Sequence, residues 1–386
     1  MGASKIRTLA IVAHYPERLS YFADWLDALT VDSVLDVTPA NLVTPLGRRR
    51  VRRNARDADL VVLLHSAIGD SLTEIGRCAA ALDARRGSLV AFVGNEVSLP
   101  GQPLRAKVDL LRQLSPEVIG TQLPIDAASV LYAEVPGAKV IPMPHALNPA
   151  QFFPTVPNDE RPIDVGFRGG KYPASLGEHD RDRIVDYFAT TKFDMPLEID
   201  ARIDSSYGRR GWSGFLNRCK ATIGAESGVR ELRLEMPDVD ADAASSLRAR
   251  LRPAHRYLPR PIKTALRRGA NRFKPAVAPV SADEPIIRSD DSGALVSGKC
   301  LSSRHFDAIG TETCQILFPG RYNDLLKADR HYLELARDFS NIDDVLERFS
   351  DVPYRLQLVR DAREWALESE TYAHRVRSLL QALGMS

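Results

Sequence analysis

The sequence predicts an α/β protein made of two Rossmann-like domains that face each other across a cleft, and three observations carry that prediction. Short apolar runs alternate with helical patterns along the first 150 residues, and the runs are apolar throughout, as in strands buried on both faces. A Pro-rich polar stretch, Asn148-Pro149 followed by Phe153-Pro154-Thr155-Val156-Pro157-Asn158, then interrupts the pattern as an interdomain linker does. After it the same alternation restarts. Strand–helix–strand repetition implies right-handed crossovers and a parallel sheet in each half.

In the first half, strands are expected at Thr8–Ala13, Ser33–Val37, Leu60–Leu64, Leu89–Val93, Val118–Thr121 and Lys139–Met143. Helices are expected at Leu19–Leu29, Ser71–Leu82, Leu104–Leu114 and Ala127–Tyr132. In the second half the order is strand Ile163–Phe167, helix Arg181–Phe188, strand Leu197–Ala201, helix Trp212–Cys219 and strand Thr222–Ala225. It resumes with helix Arg304–Ile309, strands Gln315–Phe318 and Tyr332–Leu335, and helix Ile342–Phe349. Two amphipathic helices fill Tyr354–Leu383. These readings divide the chain into an N-terminal domain over residues 1–155, a C-terminal domain over 160–355, and closing helices over 356–386 that return towards domain one. An insertion at about 229–298 breaks domain two. Its middle holds ten cations, from Arg248 to Lys274, and no acid from Leu247 to Ala282.

Composition narrows the function classes. With 44% hydrophobic and 26% charged residues the chain is an ordinary globular one, with cores to bury. Lys+Arg 52 against Asp+Glu 50 leaves a net charge of +2, so no global attraction to nucleic acid is expected. Cys78, Cys219, Cys300 and Cys314 lack metal-ribbon spacing and read as free thiols in a reducing cytosol. Neither a signal peptide nor an apolar stretch near the ~20 residues of a membrane span is expected. A cytoplasmic location is expected, with peripheral contact at the inner face of the membrane through the basic insertion.

The familiar cofactor fingerprints are missing. After the first strand the chain reads Ala13-His14-Tyr15-Pro16 rather than a Gly-rich dinucleotide turn, and there is no P-loop, HExxH or GxSxG. Asp238-Val239-Asp240-Ala241-Asp242 has carboxylate spacing suited to a cation but follows no recognisable strand, so it reads as a solvated acidic loop.

Four tracts carry more chemistry. Gly166-Phe167-Arg168-Gly169-Gly170-Lys171 follows the first strand of domain two; its glycines admit a ligand close to the backbone, and Arg168 and Lys171 suit phosphate oxygens. Ser302-Ser303-Arg304-His305-Phe306-Asp307 reads as a capped helix start, whose free N–H groups favour a diphosphate while Asp307 suits ribose hydroxyls. Glu226-Ser227-Gly228 ends a strand where open α/β sheets bind ligands. In domain one, His14, His65 and Asn95-Glu96 each follow a strand, and His145 lies at the linker, so all are candidates for the acceptor side of the cleft.

In order, these pieces resemble a bacterial glycosyltransferase of the two-Rossmann-domain GT-B type, with similarity to the group-1 and spore-maturation (CgeB-like) members. Pro144-His145-Ala146-Leu147-Asn148-Pro149 with Phe153-Pro154 resembles the passage into the second domain. Glu226-Ser227-Gly228 resembles the first acid of the family's E-x7-E signature, and Ser303–Ala308 resembles the helix bearing the second. The second acid here is Asp307, and strict spacing would put Lys299 at the first position, so the basic insertion must separate Glu226 from Asp307.

The resemblance implies transfer of a sugar from a nucleoside diphosphate sugar, bound on domain two, to a glycan or lipid-linked acceptor in surface polysaccharide synthesis. It implies neither cofactor nor metal, with Arg168 and Lys171 neutralising the leaving diphosphate and Glu226 binding the donor sugar. Gly169, Gly170, Ser303, Arg304 and Asp307 would hold the nucleotide, and no specific nucleic acid partner is implied. An inverting enzyme would need a base, for which His14 and His65 are candidates; in a retaining one the leaving phosphate would take the proton. A non-catalytic binding module of the same fold and a nucleotide-sugar epimerase stay open as alternatives at this point.

Overall fold

A computed structural model describes residues 5–13, 20–69, 71–98, 104–172, 176, 178–202, 207–234 and 295–385. His14, the acidic run at 238–242 and the cations of 248–274 lie outside them.

Domain one runs β1 (Ile6–Val12), α1 (Ser20–Val31), β2 (Leu35–Asn41), α2 (Pro45–Asn54), β3 (Leu60–Ile68), α3 (Thr73–Gly76), α4 (Ala79–Asp83), β4 (Ser88–Val93), α5 (Leu104–Leu114), β5 (Val118–Thr121), α6 (Ile125–Leu131) and β6 (Lys139–Pro142). Its sheet is parallel, in the order β2-β1-β3-β4-β5-β6. All nine residues of β3 are buried, which is why this central strand reads as one apolar run. The helix expected over Ser71–Leu82 is two short ones, α3 and α4.

The sequence pattern gave no sign of α2. It carries arginines where an amphipathic helix would carry apolar residues, and local devices hold it instead. The hydroxyl of Thr44 caps the Gly47 N–H at 3.0 Å, and Pro45 takes the first turn. Gly47 lies so close to β2 that a Cβ there would fall 1.9 Å from the Asn41 carbonyl oxygen. Val51 and Ala55 anchor the inner face.

Domain two runs β7 (Ile163–Arg168), α7 (Asp180–Thr190), β8 (Leu197–Asp200), α8 (Arg209–Leu216), β9 (Cys219–Gly224), α9 (Ser303–Gly310), β10 (Cys314–Leu317), β11 (Leu333–Glu334) and α10 (Ile342–Ser350). Its parallel sheet is ordered β11-β10-β9-β7-β8. Each sheet thus reverses direction beside its first strand, between β1 and β3 and between β7 and β9. Such switch points are where open α/β sheets hold ligands, outside the carboxyl ends of the strands.

Two segments tie the halves together. Helix α11 (Val352–Ser369) packs on domain two through Leu358, Val359 and Ala362, and α12 (Tyr372–Ala382) then crosses to domain one. There Tyr372, Val376, Leu379 and Leu380 join the core around Trp25 and Phe92. The crossing is stitched by Leu147, which donates to the Glu370 carbonyl at 2.8 Å and accepts from the Tyr372 N–H at 3.1 Å.

The second tie is the chain that leaves β9. Val229 and Leu232, with Val296 on the returning side, pack into the core of domain one beside α5. Ser98 donates its hydroxyl to the Arg233 carbonyl at 2.6 Å, and the Arg105 N–H donates to the Leu234 carbonyl at 2.9 Å. Among the described residues no helix is long and apolar enough to cross a membrane.

Candidate functional site

A crevice opens at the switch point of domain two. Phe167 of β7, Thr222 to Ala225 at the end of β9, and Ser302, Arg304 and His305 at the start of α9 form its walls, with Tyr172 and Arg181 closing one side. Ser302, rather than Ser303, is the residue that caps α9, by accepting from the Arg304 N–H at 3.4 Å. The amino end of the helix therefore points into the crevice with its partial positive charge.

Two arginines dominate the site. Arg304 donates to the Arg168 carbonyl at 2.6 Å and lies over the ring of Trp212, 4.9 Å from its centroid. Arg181 donates to the Gly170 carbonyl at 2.5 Å and stacks 3.7 Å above Tyr172. Among the described residues neither forms an ion pair with a carboxylate, although the chain has nearly as many acids as cations. Burial and the neighbouring Arg181 push the Arg304 guanidinium down to about 10. Asp307, one turn along the same helix, pulls the other way without reaching ion-pair distance, and two like charges held together are costly unless an anion joins them.

Gly169 makes the approach of Arg304 feasible, since a Cβ there would stand 3.0 Å from Nη2 of that guanidinium. Further polar atoms line the same crevice with no hydrogen-bond partner among the described residues: Nε of Arg181, Nε2 of His305 and Nε2 of Gln315. Nδ1 of His305 meets Oε1 of Gln315 at 3.0 Å, and burial pushes the His305 ring down to about 4, so it is neutral at pH 7. Tyr172 and Ser227 share a hydroxyl–hydroxyl hydrogen bond of 2.9 Å across the mouth.

The structure sorts the other candidates by what already holds them. Arg168 points along the sheet to β8, where it pairs with Glu198 and, at 2.9 Å, with Asp200; the hydrogen bond to Glu198 holds its guanidinium above the usual range. Its fork is thus committed to carboxylates, and its contribution to the crevice is its backbone carbonyl. Lys171 forms an exposed ion pair with Asp186 at 2.5 Å, and Gly170 contributes the carbonyl that Arg181 uses.

Glu226 and Asp307 do not share a partner. Glu226 accepts from the Tyr322 N–H at 2.7 Å and fills the space over Gly320, where a Cβ would lie 2.6 Å from Oε2. Asp307 accepts from the Trp212 indole at 2.9 Å. Burial raises both carboxyls, Asp307 well above the ordinary range with the nearby Asp24 adding to the rise. Asp307 therefore sits on the interdomain side, where Arg209 bridges from domain two to Asp24 and, at 2.7 Å, to Asp27 of α1.

On the domain-one side, His65 and His145 lie together, ring centroids 5.7 Å apart, in a nest with Tyr21, Trp25 and Phe92. Burial lowers His65 well below the usual range and His145 to about 3. Among the described residues neither ring nitrogen of His65 has a hydrogen-bond partner, while Nδ1 of His145 lies 3.5 Å from the Tyr372 hydroxyl. Glu96 is a brace: it accepts from Thr121 at 2.6 Å, from the Gln122 N–H at 2.8 Å and from the Tyr132 hydroxyl at 2.5 Å, and burial raises its carboxyl. Asn95 is exposed at φ 48°, its carbonyl taken by the buried Lys107 at 2.6 Å.

Sequence reasoning named Gly169 and Arg304 but missed Arg181, Tyr172 and Trp212. Arg181 starts a helix and Trp212 sits mid-helix, and neither belongs to a motif; the one available signal was their proximity in sequence to the Gly-rich loop and to the second strand.

The architecture, two parallel doubly wound sheets with a closing helix that returns to the first, is the GT-B fold. Among solved structures the chain is similar to T4 phage BGT in complex with UDP-glucose, at 10% identity, covering 97% of this chain and 98% of that one with a TM-score of 0.53. It is similar also to HepE of Anabaena in complex with UDP-glucose, at 10% identity, 98% and 100% coverage and a TM-score of 0.52. Sucrose-phosphate synthase from Thermosynechococcus elongatus gives 9% identity, 98% and 99% coverage and a TM-score of 0.52. No family model and no curated protein matches the sequence.

Proposed function

We propose that this protein transfers a sugar from a nucleoside diphosphate sugar to an acceptor hydroxyl. The observation that carries the reading is the pair Arg181 and Arg304, neither ion-paired among the described residues, beside the capped start of α9 at the ligand edge of domain two. The donor diphosphate is the anion that completes this pair. As the acceptor oxygen attacks the anomeric carbon, the bond from that carbon to the diphosphate oxygen breaks and its electron pair leaves with the phosphate. The two guanidiniums and the helix dipole stabilise the departing charge, the role a divalent cation would otherwise fill. In a retaining transfer the leaving phosphate oxygen takes the acceptor proton; in an inverting one a base takes it, for which His14 and His65 are the candidates of the sequence. The bound UDP-glucose of T4 phage BGT and of HepE supports a UDP sugar as the first donor to try. A hexosyl donor, a CgeB-like subfamily and a surface-glycan or lipid-linked acceptor in the cytoplasm follow from the sequence resemblance and complete the proposal.

The test is calorimetric titration of UDP and GDP into the wild-type protein and into Arg304→Ala and Arg168→Ala. Loss of one charged hydrogen-bonding partner is worth about 1.5–3 kcal/mol, so the dissociation constant of Arg304→Ala is expected to rise roughly 10- to 150-fold. Arg168→Ala is expected to change it much less. Equal affinity in wild type and a folded Arg304→Ala refutes the assignment. Donor hydrolysis without acceptor separates an enzyme from a binding module.

A further inference from the structure

The helix that the sequence pattern did not announce presents the most one-sided charge among the described residues. From Leu42 to Arg56 the chain holds six arginines and no acid. Arg48 turns inward to the Leu42 carbonyl at 2.6 Å and to Glu74 at 3.0 Å. The other five, Arg49, Arg50, Arg52, Arg53 and Arg56, are exposed. Among the described residues none of the five has an ion pair, and only Arg50 has a side-chain hydrogen bond, to the Pro39 carbonyl at 3.1 Å. Of the acids nearby, Glu74 serves Arg48 and Arg77 and Asp59 serves Arg7, and among the described residues no acid, Asp36, Asp57 and Asp83 included, reaches ion-pair distance of the five.

The spacing is helical. Leu46, Arg49, Arg50 and Arg53 fall at i, i+3, i+4 and i+7 and form one stripe opposite the buried Gly47 and Val51. Leu46, at the amino end of that stripe, is 61% exposed. It borders an open crevice whose other apolar walls are Val12 and Pro39, towards the carboxyl ends of β1 and β2, and Leu26 of α1.

We infer that α2 is a docking surface for an anionic lipid bilayer, with the arginines on headgroup phosphates and Leu46 dipping into the acyl boundary. The exposed leucine in line with the arginines is what favours a bilayer over a nucleic acid, whose backbone offers charge but no apolar layer. Docked this way, the bilayer lies beside the ligand edge of domain one. The inference stands independently of sugar transfer, because it rests on a surface that shares no residue with the crevice of domain two.

The experiment is co-sedimentation of the full chain with vesicles of phosphatidylcholine alone and of phosphatidylcholine with phosphatidylglycerol, at low and high salt. The proteins are wild type, the triple variant Arg49→Gln/Arg52→Gln/Arg53→Gln, and Leu46→Ser. Each arginine near an anionic surface contributes about 1 kcal/mol, so the triple variant is expected to bind anionic vesicles on the order of a hundredfold more weakly. Leu46→Ser is expected to weaken binding several-fold even at high salt. All the changed side chains are exposed, and an unaltered thermal midpoint verifies folding. Three results overturn the inference: no preference for anionic vesicles, unchanged binding by the triple variant, or tighter binding to duplex DNA than to vesicles with no effect of Leu46→Ser.

Discussion

Removing the side chain of Leu232 tests whether the segment that leaves domain two completes the core of domain one. Leu232 is fully buried, and its N–H donates to the Val296 carbonyl at 2.8 Å, so both the outgoing and returning strands of the tie meet at this residue. Leu→Ala at such a site costs about 2–5 kcal/mol, the transfer term plus the cavity left behind. The structure supplies an internal control. A Cβ on Gly298 would stand 2.7 Å from Cδ2 of Leu232 and 2.9 Å from Cγ2 of Val229, so Gly298→Ala overpacks the wild-type core. That overpacking costs about 1–3 kcal/mol. In the Leu232→Ala background the nearer clash is gone, and the added methyl fills part of the void. The double variant is therefore expected to be more stable than the sum of the single changes by about 1 kcal/mol or more. Urea unfolding of the four proteins, read by tryptophan fluorescence, closes the cycle. Additivity within about 0.5 kcal/mol, the behaviour of sites out of contact, would refute the packing described for this tie.

Other consequences can be measured separately. Wild-type stability is expected to fall on acidification from about pH 6.5 towards pH 4, because the folded state depresses His305 to about 4 by burial while the unfolded chain protonates it at 6.5. The stability it contributes is complete above 6.5 and lost below, on the order of 3 kcal/mol, so His305→Gln should flatten the slope of pH-dependent urea unfolding. Asp307 acts with the opposite sign: burial raises its folded value above 3.8, so it costs stability as pH rises, and Asp307→Asn should gain stability at pH 7 relative to pH 4. At the amino end of α12 the Thr371 hydroxyl accepts from the His374 N–H, and Thr371→Ala should lower stability by about 1 kcal/mol in thermal unfolding.

What the sequence revealed followed burial. Strands buried on both faces, such as Leu60–Ile68, read as unbroken apolar runs, so the two parallel sheets and most helices stood out from the pattern alone. Helix α2 escaped because capping by Thr44, the proline at 45 and the close fit of Gly47 hold it, and none of these leaves an apolar stripe. The crevice was half visible. Gly169 and the Ser302–Arg304 start announced themselves as loop and cap chemistry, whereas Arg181 looks like any arginine on a helix. Arg168 carried the expected motif, yet Glu198 and Asp200 on the adjacent strand claim its side chain, a cross-strand pairing that one strand read in isolation does not disclose. Glu226 and Asp307 resembled a signature pair, but each is held by a different loop or helix of the fold.

The return of α12 to domain one has a consequence for how the chain is made. Trp25 and Phe92 emerge early in synthesis, but the residues that cover them, Tyr372, Val376 and Leu379, are translated after all of domain two. The first-made sheet thus waits with this apolar face open until domain two and α12 have been made. Closing that face brings Trp25 and Tyr372 together across the whole of domain two, a long loop whose closure raises the entropic barrier of the step. During that interval the uncovered surface of domain one is the part of the nascent protein most exposed to aggregation and to chaperone capture.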